Sequence, residues 1–174
     1  MKAALIALTM ILTAAPAMAQ DAAEPAAQAQ PASWNGLPAT EISARLMALG
    51  LEVSPPQAEG DRLYLRVTDG PVRWVATLFS CREGACPDLQ LTAAFSGPQA
   101  TRDVVDLWNS ERRFVKAFYA APETGTEGTA VAQYDILLVP TVGADQLDDP
   151  IQVWRSLIAD LGRTVTPPPA QAGQ

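Results

Sequence analysis

Between residues 62 and 96 the chain alternates between apolar and polar side chains. In Arg62–Thr68, Leu63, Leu65 and Val67 fall on one side; Arg62, Tyr64, Arg66 and Thr68 fall on the other. Successive side chains of a strand point to opposite faces, so this pattern predicts a half-buried antiparallel strand. Gly70-Pro71 marks a turn, and residues 72–80 read as a second strand. In Asp88–Ser96, Leu89, Leu91, Ala93 and Phe95 alternate with Asp88, Gln90, Thr92 and Ala94. Three strands with short connections make a meander. A short strand at 51–54, stopped by Pro55-Pro56, precedes it, and an apolar strand at 129–139 follows later.

Helical spacing appears in three places. Ile42, Leu46 and Leu49 share a face in 40–49, with Thr40 as the expected N-cap and Gly50 at the C′ position. After Gly97-Pro98, Thr101 is the expected N-cap of a long helix over 102–120. Val104, Leu107, Trp108, Phe114, Val115 and Phe118 form its apolar stripe, which misses a turn near Glu111 and predicts a kink at Asn109-Ser110. The last helix starts at Asp149-Pro150, places Ile151, Trp154, Leu157, Ile158 and Leu161 on one face, and is expected to stop at Gly162. The order predicts an α+β fold: an antiparallel meander of about four to five strands flanked by three helices.

Both ends differ from this middle. Residues 1–19 have a lysine, an apolar run and an Ala17-Met18-Ala19 box, the pattern of a cleaved Sec-type signal peptide. The run is shorter than the roughly 20 residues a spanning helix needs, so no membrane span is expected after cleavage. Residues 20–33 are rich in Ala, Gln and Pro and cannot bury enough apolar surface to order themselves. Residues 163–174, with Pro167-Pro168-Pro169, read as a disordered tail. The folded domain is therefore expected over 34–162, in a periplasmic or secreted protein.

Charge excludes one class of partner. Lys and Arg number 12 against 19 Asp and Glu, a net charge of −7. No basic cluster exceeds Arg112-Arg113, so a phosphate backbone meets net repulsion and nucleic acid is not an expected partner.

Cys81 and Cys86 are the only cysteines and lie in the connection between two strands expected to pair. Facing residues of such strands have Cα atoms about 4.5–5.5 Å apart, within disulfide reach. An oxidising compartment favours a structural disulfide. Closing so short a loop contributes about 2 kcal/mol at most. A redox-active pair is the alternative, although C-x4-C lacks the usual C-x-x-C geometry. A metal site lacks ligands, because the chain has no histidine.

The absence of histidine also excludes Ser-His-Asp and Cys-His catalysis. No phosphate-binding glycine motif occurs. Asp145, Asp148 and Asp149 precede a helix and read as caps and dipole complements. Glu111, Arg112 and Arg113 read as a solvated face, and Asp135 as an outward-facing strand residue. No catalytic residue, metal or cofactor is expected.

The run Leu107–Tyr119, "LWNSERRFVKAFY", followed by a loop and an Asp-bearing strand, resembles the YbjN family of bacterial sensory transduction regulators. The matching residues are Trp108, Asn109, Arg112, Arg113, Phe114, Lys116, Ala117, Tyr119 and Asp135. The "FSCREGACPDLQLTAAF" stretch is similar to exported members of that family. The resemblance spans most of Leu37 to Leu161 and implies a fold similar to type III secretion chaperones. It brings no catalytic residues, and it makes the matching residues candidates for an interaction surface. The expected function is a non-enzymatic periplasmic protein, a chaperone-like or regulatory module that binds a protein or peptide and forms homodimers through a sheet or helix face. Two alternatives stand beside it: a thiol-redox protein using Cys81 and Cys86, and a structural or stress-related envelope protein without a dedicated ligand.

Overall fold

The computed structural model describes residues 36–167. The expected signal peptide, the leader and most of the expected tail lie outside the described residues. The chain enters as a two-residue strand, β1 (Leu37–Pro38), and turns into α1 (Ala39–Ala48). Two short strands follow, β2 (Glu52–Val53) and β3 (Gln57–Glu59), then the long pair β4 (Arg62–Asp69) and β5 (Val72–Phe79). A short β6 (Ala85–Cys86) leads to β7 (Asp88–Ser96). Next come α2 (Arg102–Glu111), β8 (Lys116–Ala120), β9 (Thr129–Leu137), a 3-10 turn (Ala144–Leu147) and α3 (Asp148–Val165).

The fold is α+β, with three helices and one seven-stranded antiparallel sheet in the order β2-β4-β5-β7-β9-β8. β3 pairs with the same edge of β4 as β2 does. The meander is the one its alternation predicts: Leu65 faces Ala76, which faces Leu91, which faces Tyr134. That row continues the apolar side of each strand across the sheet. Leu65, Ala76 and Leu91 and members of the next rows (Val67, Trp74, Leu78, Leu89, Ala93, Ala132) are buried under the helices, and Tyr134 is half-buried.

α3 is the centre of the covered side. Ile151, Trp154, Ile158, Leu161 and Val165 recur at spacings of three and four and are all buried. Trp154 meets Trp74 of β5 edge to face, with ring centroids 6.0 Å apart. Both indole N–H groups are buried without a hydrogen-bond partner among the described residues. α3 is also tied to each neighbour by an arginine–carboxylate contact. Arg155 grips Asp69 at the β4–β5 turn through Nε (2.6 Å) and Nη2 (2.7 Å). Arg45 of α1 holds Asp148 at the start of α3 through both of its carboxylate oxygens, and reaches Asp145 at 3.2 Å. Arg112 donates to Asp160 at 2.9 Å.

Three local expectations change. The long helix of 102–120 is α2 plus β8, because α2 ends at Glu111 and the chain re-enters the sheet at Lys116. Phe114 and Phe118 are four apart, a spacing that is close to one helical turn and also two strand repeats. Packing selects the strand: Val115 and Ala117 are buried while Phe114, Lys116 and Phe118 are exposed. The last helix passes through Gly162 and ends at Val165, which is fully buried, so the domain extends past residue 162. Gly162 is small because the Phe95 ring lies over it; a Cβ there would sit 3.0 Å from Cε1. Finally, α1 starts at Ala39 after Pro38, not at a Thr40 cap, and α3 starts at Asp148 without a side-chain cap. Asp145 and Asp148 serve an interhelical ion pair instead of capping. Thr101 does cap α2, accepting from Val104 N–H at 3.3 Å.

Candidate functional site

The residues of the Trp-Asn-x-x-Arg-Arg-Phe run converge on the corner where α2 turns into β8. The Trp108 indole N–H donates to the Val115 carbonyl at 3.3 Å. The Asn109 amide donates to the Ala117 carbonyl at 2.8 Å and accepts from the Ala117 N–H at 2.9 Å. Lys116 Nζ donates to the carbonyls of Asn109 (2.8 Å) and Arg112, closing the C-terminal end of α2. The Arg112 guanidinium lies over the Trp108 ring at 5.0 Å while it binds Asp160. Trp108, Asn109, Arg112 and Lys116 thus spend their polar groups inside the chain. Arg113 and Phe114 remain exposed and stack on each other at 5.2 Å.

This corner also closes one edge of the sheet. β8 pairs with β9 on one side only. On its other side, Asn109 takes the backbone groups of Ala117 as a neighbouring strand would, and Trp108 takes the carbonyl just before the strand. An unpaired strand edge is a template for another chain, and side chains that occupy it prevent that pairing. The opposite edge is broken differently. β2 and β3 are two and three residues long and are separated by Pro55-Pro56, which offer no N–H. Between them, Ser54 bridges the gap: its N–H donates to the Arg66 carbonyl, and its Oγ accepts from the Arg66 N–H, both at 2.9 Å.

What remains open is the face of the sheet without helices. Its rows can be read from the register. One runs Arg66, Val75, Thr92, Gln133, Lys116; the next runs Gln57, Tyr64, Thr77, Gln90, Asp135. A third contains Thr68 beside Arg73 and ends with Ala94, Val131 and Phe118. Gln133 donates to Gln90 at 3.2 Å, and Gln90 donates to Asp135 at 2.8 Å. Phe118 and Leu137 are exposed large apolar residues of this face, and Phe114 is exposed at its border. Beside a shallow cavity of about 420 Å³ bordered by Gln57, Glu59, Tyr64, Arg66 and Val75, two more are set into the face. One, of about 330 Å³, is bordered by Phe114, Lys116, Phe118, Gln133 and Asp135. The other, of about 490 Å³, is bordered by Arg66, Thr68, Arg73, Val75, Thr92 and Ala94. The first joins three residues singled out from sequence, Phe114, Lys116 and Asp135. The second contains none of them. Its sequence signal is the outward side of the 62–68 and 88–96 alternations, which says that Arg66, Thr68, Thr92 and Ala94 face outward but not that no helix covers them.

Cys81 and Cys86 lie in the β5–β7 connection as expected, with Cα atoms 4.1 Å apart and sulfurs at bonding distance. The loop they close has a second role. β1 pairs with β6, setting Leu37 against Cys86 and Pro38 against Ala85, and Ala39 N–H donates to the Gly84 carbonyl at 3.3 Å. Gly36 passes so close that a Cβ would lie 1.9 Å from the Cys86 carbonyl oxygen. The loop therefore clamps the chain where it enters the domain. Cys86 is fully buried and Cys81 half-buried.

The pKa shifts fall in the helical ties, away from the open face. The hydrogen bond from Arg45 lowers the Asp148 carboxyl below its ordinary value, against the opposing effect of desolvation. The partner bonds raise Arg45 and Arg155 in turn, through Asp148 and Asp69. These are marks of architecture, because each shifted group is saturated by its partner. Among the described residues, no group of three or more Cys, Asp or Glu side chains could hold a metal ion. No helix among them is long and apolar enough to cross a membrane.

This is the design of an α+β domain that shields one face of its sheet and leaves the other available. The family model described as "Putative bacterial sensory transduction regulator", YbjN, matches residues 38–166. The chain belongs to the YbjN family. It is also similar to a crystal structure described as "YbjN, a putative transcription regulator from E. coli", at 14% identity and a TM-score of 0.41. That similarity covers 69% of this chain and 82% of the other. No curated protein matches it.

Proposed function

We propose that this protein is an exported, non-enzymatic member of the family that works as a regulatory or chaperone-like module, docking a protein partner on the helix-free face of its sheet. The observation that carries this reading is the exposed apolar set on that face. Phe118 is 47% and Leu137 65% exposed, in a sheet whose opposite face carries the buried core. Exposed aromatic and aliphatic side chains rimmed by polar ones are the usual composition of an interaction surface. Both edges are closed, so the partner meets side chains and does not add a strand. The lack of histidine and the family's regulatory description support a role without catalysis. The N-terminal pattern supports export.

The test is site-specific photo-crosslinking in intact cells. A photoreactive residue at Thr92, on the open face, is expected to capture a defined polypeptide. The same residue at Gln152, on the exposed side of α3, is expected to capture none. Equal capture from both positions, or none from Thr92, overturns the reading. Cell fractionation with N-terminal sequencing tests export, and an envelope fraction beginning at Gln20 is the expected result.

A further inference from the structure

We infer that the larger cavity of the open face is an acid-reading site, and that the segment it binds is an acidic peptide with an apolar residue beside its carboxylate. The inference rests on the protein-binding role proposed above. It begins with an asymmetry among the arginines. Arg45, Arg112, Arg155 and Arg163 each contact an aspartate. Arg66 and Arg73 form no ion pair among the described residues; the Arg66 guanidinium donates to the neutral Gln57 side chain. In a chain of net charge −7, most acidic surface repels an acidic segment. Arg82, Arg102, Arg113 and Lys116 also lack a carboxylate among the described residues; what sets Arg66 and Arg73 apart is that they are neighbours on the open face, a local exception.

Their placement gives the exception a shape. Arg66 faces Val75, and Thr68 faces Arg73, so the two arginines are diagonal neighbours across β4 and β5. Diagonal residues of an antiparallel pair lie about 7–8 Å apart, within reach of long side chains. Two guanidinium forks at that separation can converge on one carboxylate, the geometry in which arginine outperforms lysine. Val75 lies beside both arginines and Ala94 beyond Arg73, an apolar floor to the cavity, and Thr68 and Thr92 supply hydroxyls. Two carboxylates share the edge of this face: Glu52 sits across β4 opposite Thr68, and Glu59 borders a neighbouring cavity with Arg66; neither makes an ion pair with Arg66 or Arg73 among the described residues. Asp135 is two strands from β5 and already accepts from Gln90.

An extended peptide is the occupant this site fits. At about 490 Å³ the cavity is an open groove across strands, not an enclosed chamber. A second copy is a poorer fit, because a two-fold axis through the groove would set the arginine pair against itself.

The experiment pans the purified full chain against two randomised seven-residue peptide libraries, one containing Asp and Glu, the other with Asn and Gln in their place. Acidic peptides are expected to be enriched by about 10-fold or more, as charge-assisted bidentate contacts allow. The enrichment should weaken with salt and disappear in the Arg66→Gln, Arg73→Gln double variant. Both side chains are exposed, so that variant is expected to keep the parent's thermal midpoint. An Arg66→Lys, Arg73→Lys variant should retain a reduced preference, since it keeps charge and loses the fork. Equal recovery from both libraries overturns the acid-reading site and leaves the protein-binding role standing. An acid preference unchanged in the double glutamine variant places the site elsewhere and overturns it too. If neither library is recovered the inference falls; the protein-binding role falls with it only if crosslinking from Thr92 also captures nothing.

Discussion

The two faces of one sheet use the same residue type in opposite ways. On the covered face, arginines are bound: Arg45 to Asp148, Arg155 to Asp69 and Arg112 to Asp160, each joining α3 to another element. On the open face, Arg66 and Arg73 have no carboxylate among the described residues. Part of the family motif falls on the bound side of this divide: Trp108, Asn109, Arg112 and Lys116 build the α2–β8 corner. Phe114, Lys116 and Asp135 also border a cavity of the open face. A distinctive motif can therefore report largely how a chain closes a sheet edge, while the cavity around Arg66 and Arg73 lies in residues outside it.

The comparison can be broken most severely at the helical centre. Trp154→Ala removes the fully buried ring that meets Trp74, and a loss of about 3–5 kcal/mol is expected in chemical denaturation. Next is the corner. Asn109→Ala strands the N–H and carbonyl of Ala117 at the sheet edge, and a loss of about 1–3 kcal/mol is expected. If Asn109→Ala instead left stability intact and abolished crosslinking from Thr92, the motif would belong to recognition and the division drawn above would be wrong. Replacing both Cys81 and Cys86 by serine should cost about 2 kcal/mol at most. Hydrogen exchange should then accelerate at Leu37 to Ala39, where β1 rests on the disulfide loop, before it changes in β4 or β5.

A smaller effect is expected from acid. The folded-state pKa of Asp148 is lowered, so its contribution is fully present above the ordinary carboxylate value, near 4. It is lost as pH falls from there through the depressed folded value. An Asp148→Asn variant should show a shallower fall in stability below about pH 4 in a denaturant series across that range. A parallel fall in both proteins would show that Arg45 and Asp148 act as an incidental surface pair. The smallest effect belongs to the open face: Arg73→Gln should change stability by less than about 0.5 kcal/mol. A larger loss would mean that Arg73 is architectural like the others.

Much of this organisation was legible in the amino-acid order. Alternation at 62–68 and 88–96 determined the long strands and their buried sides, because a strand has a period of two and one face had to be dry. The stripe from Ile151 to Leu161 determined α3, and Thr101 marked the start of α2. The two cysteines had to be near each other once their strands paired. The sequence reading of 102–120 as one helix failed over Phe114 to Tyr119, since four-residue spacing satisfies both the helical and the strand period. Tertiary packing selected the strand, by giving Val115 and Ala117 a buried side and Ala117 a backbone partner in Asn109. Packing also carried α3 beyond Gly162, where the Phe95 ring lies close over the glycine inside the helix. Above all, only the tertiary structure decided which polar residues stay free. Arg45, Arg66, Arg73 and Arg155 are alike in the sequence, and they differ because three helices fold onto one face of the sheet and none onto the other.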